Sequence, residues 1–121
     1  MTIKDFRIGQ TAMIAGDGRY GVADKRGMGQ VTVTKIGRKY VTAQDDVGRE
    51  MRFRACETEQ SYLIEETEIG SPRLLFPSEQ AIEEYYELER LKHEIRKMMD
   101  WSRIGRYSLS QLRAVKNILE E

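Results

Sequence analysis

The sequence predicts an α+β protein, a small SH3-like five-stranded antiparallel β-barrel followed by a C-terminal α-helical hairpin. Nine of the ten glycines lie at or before Gly70, together with the alternating β-branched residues that indicate strands. After Pro77 the chain is rich in Glu, Leu, Lys and Arg, with apolar residues at helical spacing. We therefore expect a barrel over residues 1–76 and helices over residues 77–121. The helical part is too short to bury its own apolar stripe, so we expect it to pack on the barrel as one structural unit.

A hairpin over residues 29–44 is the clearest strand pattern. A three-residue loop at residues 37–39 would pair Ile36 with Tyr40 and Val33 with Ala43. A two-residue loop would mix apolar and polar residues on both faces of the hairpin, so we predict the three-residue loop. The inner face then carries Val31, Val33, Val41 and Ala43, and the outer face carries Thr32, Thr34, Tyr40 and Thr42.

The other predicted strands lie on either side of this hairpin. The first covers residues 10–14, and the five glycines of residues 15–29 indicate a long mobile loop after it. Residues 45–48, Asp-Asp-Val-Gly, form the turn that follows the hairpin. In the strand after that turn Met51 and Phe53 point inward, whereas Glu50, Arg52 and Arg54 point outward. A fifth strand is predicted at residues 62–64, which completes a small curled barrel.

Two helices are predicted after Pro77. Ser78 is the expected N-cap of the first helix, which runs to about Asp100. Its apolar stripe consists of Tyr85, Leu88, Leu91, Ile95, Met98 and Met99. Residues 101–107 break the helix, with Gly105 at the bend. Ser108 and Gln111 then have the spacing of a capping box at the start of the second helix.

The composition argues against catalysis and metal binding. The single cysteine, Cys56, excludes an intramolecular disulfide, and the single histidine, His93, lies in a charged helical segment. A structural zinc site needs about four Cys and His ligands, which the chain lacks. The glycine-rich residues 16–21 lack the Gly-Lys-Ser/Thr ending of a phosphate-binding loop. We therefore expect a protein without enzymatic activity and without a cofactor.

The N-terminal residues and the lengths of the apolar segments indicate where in the cell the protein is expected. The first residues contain no apolar core of a signal peptide, and no run approaches the length that crosses a membrane. We expect a protein of the cytoplasm of a bacterial host cell, with no membrane as partner.

Basic residues cluster in the barrel half of the chain although the net charge is zero. From Arg19 to Arg54 there are nine basic and four acidic residues. Tyrosine among guanidinium groups and hydroxyls is typical of surfaces that bind RNA or single-stranded DNA, but threonine and arginine are also ordinary outward residues of a sheet. The candidate binding residues are Arg19, Tyr20, Lys25 and Arg26 in the loop and Arg38, Lys39, Tyr40, Arg52 and Arg54 on the face.

A second candidate surface lies at the bend between the helices. Met98, Met99 and Trp101 form a dense apolar group there together with Ile104 and Tyr107. If the helices pack together it is core, and if they project it is an interface through which the chain forms a homo-oligomer.

Two resemblances follow from these segments. Residues 9–16 together with residues 29–36 resemble a stretched KOW motif of SH3-like barrels, a family that binds RNA, ribosomes or RNA polymerase. Residues 31–42, then Pro77-Ser-Glu-Gln-Ala, a charged helix and residues 108–118 are similar to small barrel-plus-helix proteins of bacteriophages and prophages.

The second resemblance implies a biological setting. The resemblance implies that the protein acts in this setting, where phage accessory proteins of this size often bind and block host machinery, including CRISPR–Cas and other defence complexes. The leading hypothesis is therefore a phage or prophage accessory protein that binds a host protein or ribonucleoprotein complex, with an anti-defence inhibitor of the anti-CRISPR type as one form of it. Two alternatives remain: a KOW-like module for RNA or single-stranded DNA, and a homo-oligomeric interaction protein.

Overall fold

A computed structural model describes residues 1–16, 28–68 and 70–121 of the chain. The described residues form six strands, which pair antiparallel in chain order, and β6 closes the barrel against β1. The strands are β1 (Thr11–Ala15), β2 (Gly29–Ile36), β3 (Val41–Gln44), β4 (Glu50–Ala55), β5 (Leu63–Glu65) and β6 (Leu74–Phe76). The helices are α1 (Glu79–Met98), α2 (Trp101–Ile104) and α3 (Leu109–Leu119). The predicted α+β class, antiparallel barrel and C-terminal helices are confirmed, but the predicted number of five strands is wrong.

The chain divides into two compact units, and the boundary falls inside α1. The barrel unit is Met1–Glu89 and the helical unit is Arg90–Glu121. We use these two names for the units below.

The barrel interior is an apolar cluster that the alternating strand pattern produces. Val31, Val33, Val41 and Ala43 are all buried, which confirms the inner face predicted for the hairpin. Met51 and Phe53 of β4 join the same cluster, as predicted, together with Leu63 of β5 and Leu75 of β6. Strand alternation therefore determines which side chains fill the barrel.

A second apolar cluster lies on the opposite side of β6. Leu74 and Phe76 of β6 pack there with Ile82 and Tyr86 from the first turns of α1. Leu75 between them faces the barrel cluster, so β6 is covered on both sides. A strand covered on both sides consists of consecutive apolar residues instead of alternating ones.

The hairpin differs from its prediction in one respect. Val33 lies opposite Ala43 as predicted, but Ile36 lies opposite Val41 and not opposite Tyr40. The register shifts between Val33 and Lys35, which is a β-bulge at Thr34, and the Thr34 hydroxyl donates to the Thr42 carbonyl over 3.3 Å. The bulge adds one residue to β2, so Ile36 returns to the inner side and the loop lengthens to residues 37–40.

The predicted turn at residues 45–48 is present and well bonded. The Asp45 carboxylate accepts from the backbone N–H groups of Val47 and Arg49 over 3.1 and 2.8 Å. Gly48 has a φ of +87°, a conformation that residues with a Cβ rarely adopt. The Asp45 carboxylate therefore stabilises this turn.

The helix boundaries confirm the predicted caps. The Ser78 hydroxyl accepts from the Ala81 N–H over 3.1 Å before α1, and Ser108 and Gln111 form a capping box at the start of α3. The predicted break after α1 contains a short helix, α2, because the Asp100 carboxylate caps it by accepting from Ser102 over 2.6 Å. The sequence prediction missed this single turn.

Candidate functional site

A basic row crosses the outer side of strands β2, β3 and β4. Lys35 lies opposite Thr42, and Thr42 lies opposite Arg52. These three residues alternate with the buried Val41 and Phe53, so their side chains point away from the barrel interior. Lys35 and Arg52 are exposed, and two cationic groups therefore flank a hydroxyl on this row.

The loop between β2 and β3 places Tyr40 beside the row. The Gly37 N–H donates to the Tyr40 carbonyl over 2.9 Å, which closes the loop, and Arg38 and Lys39 are exposed at its tip. The Arg52 guanidinium lies 4.8 Å from the centroid of the half-buried Tyr40 ring. This cation–π contact is worth about 0.5–1 kcal/mol at an exposed site, so it favours this orientation of the two side chains.

Two open depressions lie on either side of Tyr40, and Arg38, Lys39 and Tyr40 line both of them. The larger has a volume of about 400 Å³, and its other lining residues are Ile3, Arg54 and Ala55. The smaller has a volume of about 180 Å³, and its other lining residues are Lys35, Gly37, Thr42 and Arg52. We call the surface formed by Lys35, Arg38, Lys39, Tyr40, Thr42 and Arg52 the basic face.

Arg54 lies at the edge of the basic face and already has an acidic partner. Its Nε donates to the Glu66 carboxylate over 2.7 Å, and its Nη1 donates to the Ala55 carbonyl over 3.4 Å. An anion that binds Arg54 must compete with Glu66. We therefore expect Arg54 to contribute less to anion binding than Arg52 does.

The predicted binding residues thus fall into two groups. Arg38, Lys39, Tyr40 and Arg52 come together on the basic face, with Arg54 at its edge. The four predicted loop residues, Arg19, Tyr20, Lys25 and Arg26, lie outside the described residues. Sequence analysis missed Lys35, because the bulge at Thr34 decides that Lys35 shares the outer side with Thr42 and Arg52. The spacing of three between the inward residues Val33 and Ile36 was the available signal.

The predicted apolar group near the helix bend is largely exposed. Trp101 is 94% exposed and Met98 is 53% exposed, whereas Met99 is half-buried. Met98 and Met99 line an apolar groove of about 270 Å³ in the helical unit. The other lining residues of this groove are Ile95, Tyr107, Gln111, Leu112, Val115, Ile118 and Leu119.

The residues that could carry catalysis have ordinary surroundings. His93 is exposed on α1. Cys56 is half-buried, and its thiol donates to the Tyr62 carbonyl over 3.7 Å. Among residues 1–16, 28–68 and 70–121, no three His, Cys, Asp or Glu side chains are grouped so that they could hold a metal ion.

The Cys56 thiol provides a pH-dependent prediction. Desolvation raises its pKa above the ordinary value of a cysteine, although the nearby Arg54 charge acts in the opposite direction. A raised pKa means less thiolate at a given pH, so alkylation of the native protein by iodoacetamide should reach half its plateau rate at a higher pH than alkylation of the urea-unfolded chain. Midpoints that coincide would contradict this prediction, and a lower native midpoint would contradict it and also indicate an activated thiol.

No helix in the described part of the chain combines the length and apolar character that crossing a bilayer requires.

The fold and the basic face define a class of protein: a closed antiparallel barrel with C-terminal helices and a cationic surface around one tyrosine. The family model of the phage ProQ C-terminal-like domain matches residues 1–121. The chain therefore belongs to this phage-associated family, which confirms the predicted relation to small phage proteins. No curated protein and no solved structure matches the chain. The resemblance to the KOW motif stays a prediction.

Proposed function

We propose that this phage-associated protein is a non-enzymatic binding protein whose basic face takes up single-stranded nucleic acid, either RNA or DNA. The observation that carries the proposal is Tyr40, which lies between two depressions that basic side chains line. Lys35, Arg38, Lys39 and Arg52 surround it, and among the residues that the structure describes no carboxylate lines either depression. A single-stranded ligand offers both the phosphates and the unstacked bases that this arrangement suits.

The geometry supports two kinds of contact. Lys35 and Arg52 at the row and Arg38 and Lys39 at the loop tip supply cations for successive phosphates. The Tyr40 ring and the Arg52 guanidinium supply planar surfaces on which a base can stack, and such stacking is worth about 1–3 kcal/mol per base. Neither contact reads a particular base, so we expect a weak preference for sequence.

The experiment is a fluorescence-anisotropy titration of a labelled 12-nucleotide single-stranded RNA at 50 to 200 mM salt. With three to four phosphate contacts, the logarithm of the binding constant should fall with the logarithm of the salt concentration with a slope of about −2 to −3. A duplex RNA of the same sequence is the matched control and should bind more weakly, because its bases are not available for stacking. Absence of binding at 50 mM salt, or a slope near zero, would contradict the proposal.

A second candidate function is the binding of a host protein or ribonucleoprotein complex. The basic face would bind this partner and thereby inhibit a defence system. What favours it is the pairing of tyrosine with arginine, since both residue types are enriched among the residues that dominate protein interfaces. Capture on the tagged protein from a bacterial lysate, with and without nuclease, separates the two candidates. A stoichiometric protein that survives nuclease and is lost from an Arg52→Glu variant would favour the host partner over nucleic acid.

A further inference from the structure

The two depressions on either side of Tyr40 differ in size and in the chemistry of their walls. Cationic side chains and Thr42 make up most of the wall of the smaller one, whose volume is about 180 Å³. The larger one has a volume of about 400 Å³, and the apolar side chains of Ile3 and Ala55 belong to its wall. A phosphate needs cations and hydrogen-bond donors, whereas a planar organic group also needs apolar surface. The smaller depression therefore suits a phosphate, and the larger one suits a base.

The Tyr40 ring lines both depressions, and the two arginines of β4 divide between them. Arg52 lines the smaller depression and lies over one face of the ring, 4.8 Å from its centroid. This leaves the opposite face of the ring for a base in the larger depression, where Arg54 lines the wall. Ile3, in the same wall, packs against the barrel cluster, so the barrel interior holds its side chain in place.

Arg54 is oriented in this wall by two acceptors. Its Nε donates to the Glu66 carboxylate over 2.7 Å, and its Nη1 donates to the Ala55 carbonyl over 3.4 Å. Glu66 is itself joined to β4, because its backbone N–H donates to the Arg52 carbonyl over 2.8 Å. These two bonds of Arg54 use two of the five N–H groups of a guanidinium, and the carboxylate compensates the positive charge. Arg54 is therefore better suited to donate to a neutral acceptor than to bind a phosphate.

We propose that the larger depression is a base subsite that prefers guanine, and that Arg54 is the residue that reads the base. This inference rests on the proposed function, because it names the base that a single-stranded ligand places beside Tyr40. Guanine presents two neighbouring acceptors, O6 and N7, on one edge, and arginine donates to both at once. Adenine replaces one of these acceptors by an amino group, and cytosine offers two acceptors on a smaller ring that stacks less on Tyr40. The preference concerns one position of the strand, since the phosphate and stacking contacts of the basic face read no base.

The test is a competition experiment in which RNA tetranucleotides displace a labelled 12-nucleotide oligouridine from the full chain. The competitors are UUGU, UUAU and UUCU, which are short enough to limit the number of binding registers. We expect UUGU to compete at a concentration roughly tenfold lower than UUAU and several-fold lower than UUCU. Inosine in place of guanine retains O6 and N7 and should compete as well as guanine does. The 7-deazaguanine version lacks the N7 acceptor and should lose most of the advantage.

An Arg54→Lys variant separates reading of the base from charge. Lysine keeps the positive charge, but its single nitrogen pairs with Glu66 and cannot also present a planar pair of donors. We expect UUGU and UUAU to compete equally on this variant, while its affinity for oligouridine changes less than about threefold. Retained binding of oligouridine also shows that the variant is folded. Arg49→Lys, at an exposed position of the turn before β4, is the matched control and should keep the guanine preference.

The outcomes distinguish this inference from the proposed function. If wild type binds no single-stranded RNA, both are wrong. If it binds oligouridine but the three tetranucleotides compete equally, or if UUAU or UUCU competes as well as UUGU, the guanine subsite is wrong and the proposed function stands. A guanine preference that persists in Arg54→Lys would overturn the assignment of Arg54 as the residue that reads the base.

Discussion

Replacing Phe53 with alanine is expected to lower the free energy of unfolding of the barrel by about 3–5 kcal/mol. Phe53 is fully buried in the barrel cluster, and its backbone pairs with Val41 on one side and Glu65 on the other. Truncation removes the ring from the interior and leaves a cavity that neighbouring strands in a closed barrel cannot fill by moving inward. Because small domains are stable by about 5–15 kcal/mol in total, this one change should bring the barrel close to unfolding.

The measurement is a urea titration followed by circular dichroism in the strand region. The midpoint should fall strongly while the slope stays close to that of wild type, since the surface exposed on unfolding hardly changes. Thr32→Ala on the exposed side of β2 is the control, and we expect its effect to lie within about 0.5 kcal/mol of zero. A loss below about 1 kcal/mol for Phe53→Ala would mean that the ring is not part of a closely packed interior.

The sequence predicted the barrel interior well because burial follows a period of two. Val31 and Val33 alternate with threonine, and Met51 and Phe53 alternate with arginine, so the inward residues were determined once the strands were recognised. The helix caps were equally local, because a serine hydroxyl bonds to a backbone group three residues along the chain. Short-range chemistry of this kind can be read without knowing the fold.

Two features of the fold were not predicted from short-range sequence patterns, namely strand β6 and the bulge at Thr34. Strand β6 was missed because Leu74, Leu75 and Phe76 show no alternation, and only its pairing with β1 and β5 and its cover by α1 make it a strand. The bulge at Thr34 was missed because a period of two was extended through Ile36, although the spacing from Val33 to Ile36 is three. Strand β6 therefore depends on contacts between distant parts of the chain, whereas the bulge left a local signal in the spacing of its inward residues.

The bulge is the reason that the candidate site was only partly predicted. The sequence pointed to Arg38, Lys39, Tyr40 and Arg52, but the assumed three-residue loop put Tyr40 in the ladder opposite Ile36. In the structure Tyr40 belongs to the loop, which allows its ring to meet the Arg52 guanidinium. The same shift in register brings Lys35 to the basic face. A single inserted residue therefore determines which charges surround the tyrosine.

We expect a triple variant of the basic face to bind single-stranded RNA roughly 100- to 1,000-fold more weakly than wild type. The variant carries Arg38→Gln, Lys39→Gln and Arg52→Gln. A hydrogen bond to a charged group contributes about 1.5 kcal/mol or more, and a difference of about 1.4 kcal/mol corresponds to a factor of ten in affinity. The slope of the logarithm of the binding constant against the logarithm of the salt concentration should also become less negative by about 2. Each phosphate contact on a single strand contributes about 0.7 to this slope, and the variant loses three of them.

The matched control is the glutamine variant of Arg103, Arg106 and Arg113, which removes three exposed positive charges from the helical unit. It changes the net charge by the same amount, so it reports the effect of overall charge on the attraction of a polyanion. Because salt screens charges that do not contact the ligand directly, and these three arginines are not part of the basic face, this control should lose less than about tenfold in affinity. Equal losses in the two variants would show that net charge alone governs binding, and an unchanged affinity after neutralisation of the basic face would place the nucleic-acid site elsewhere on the chain.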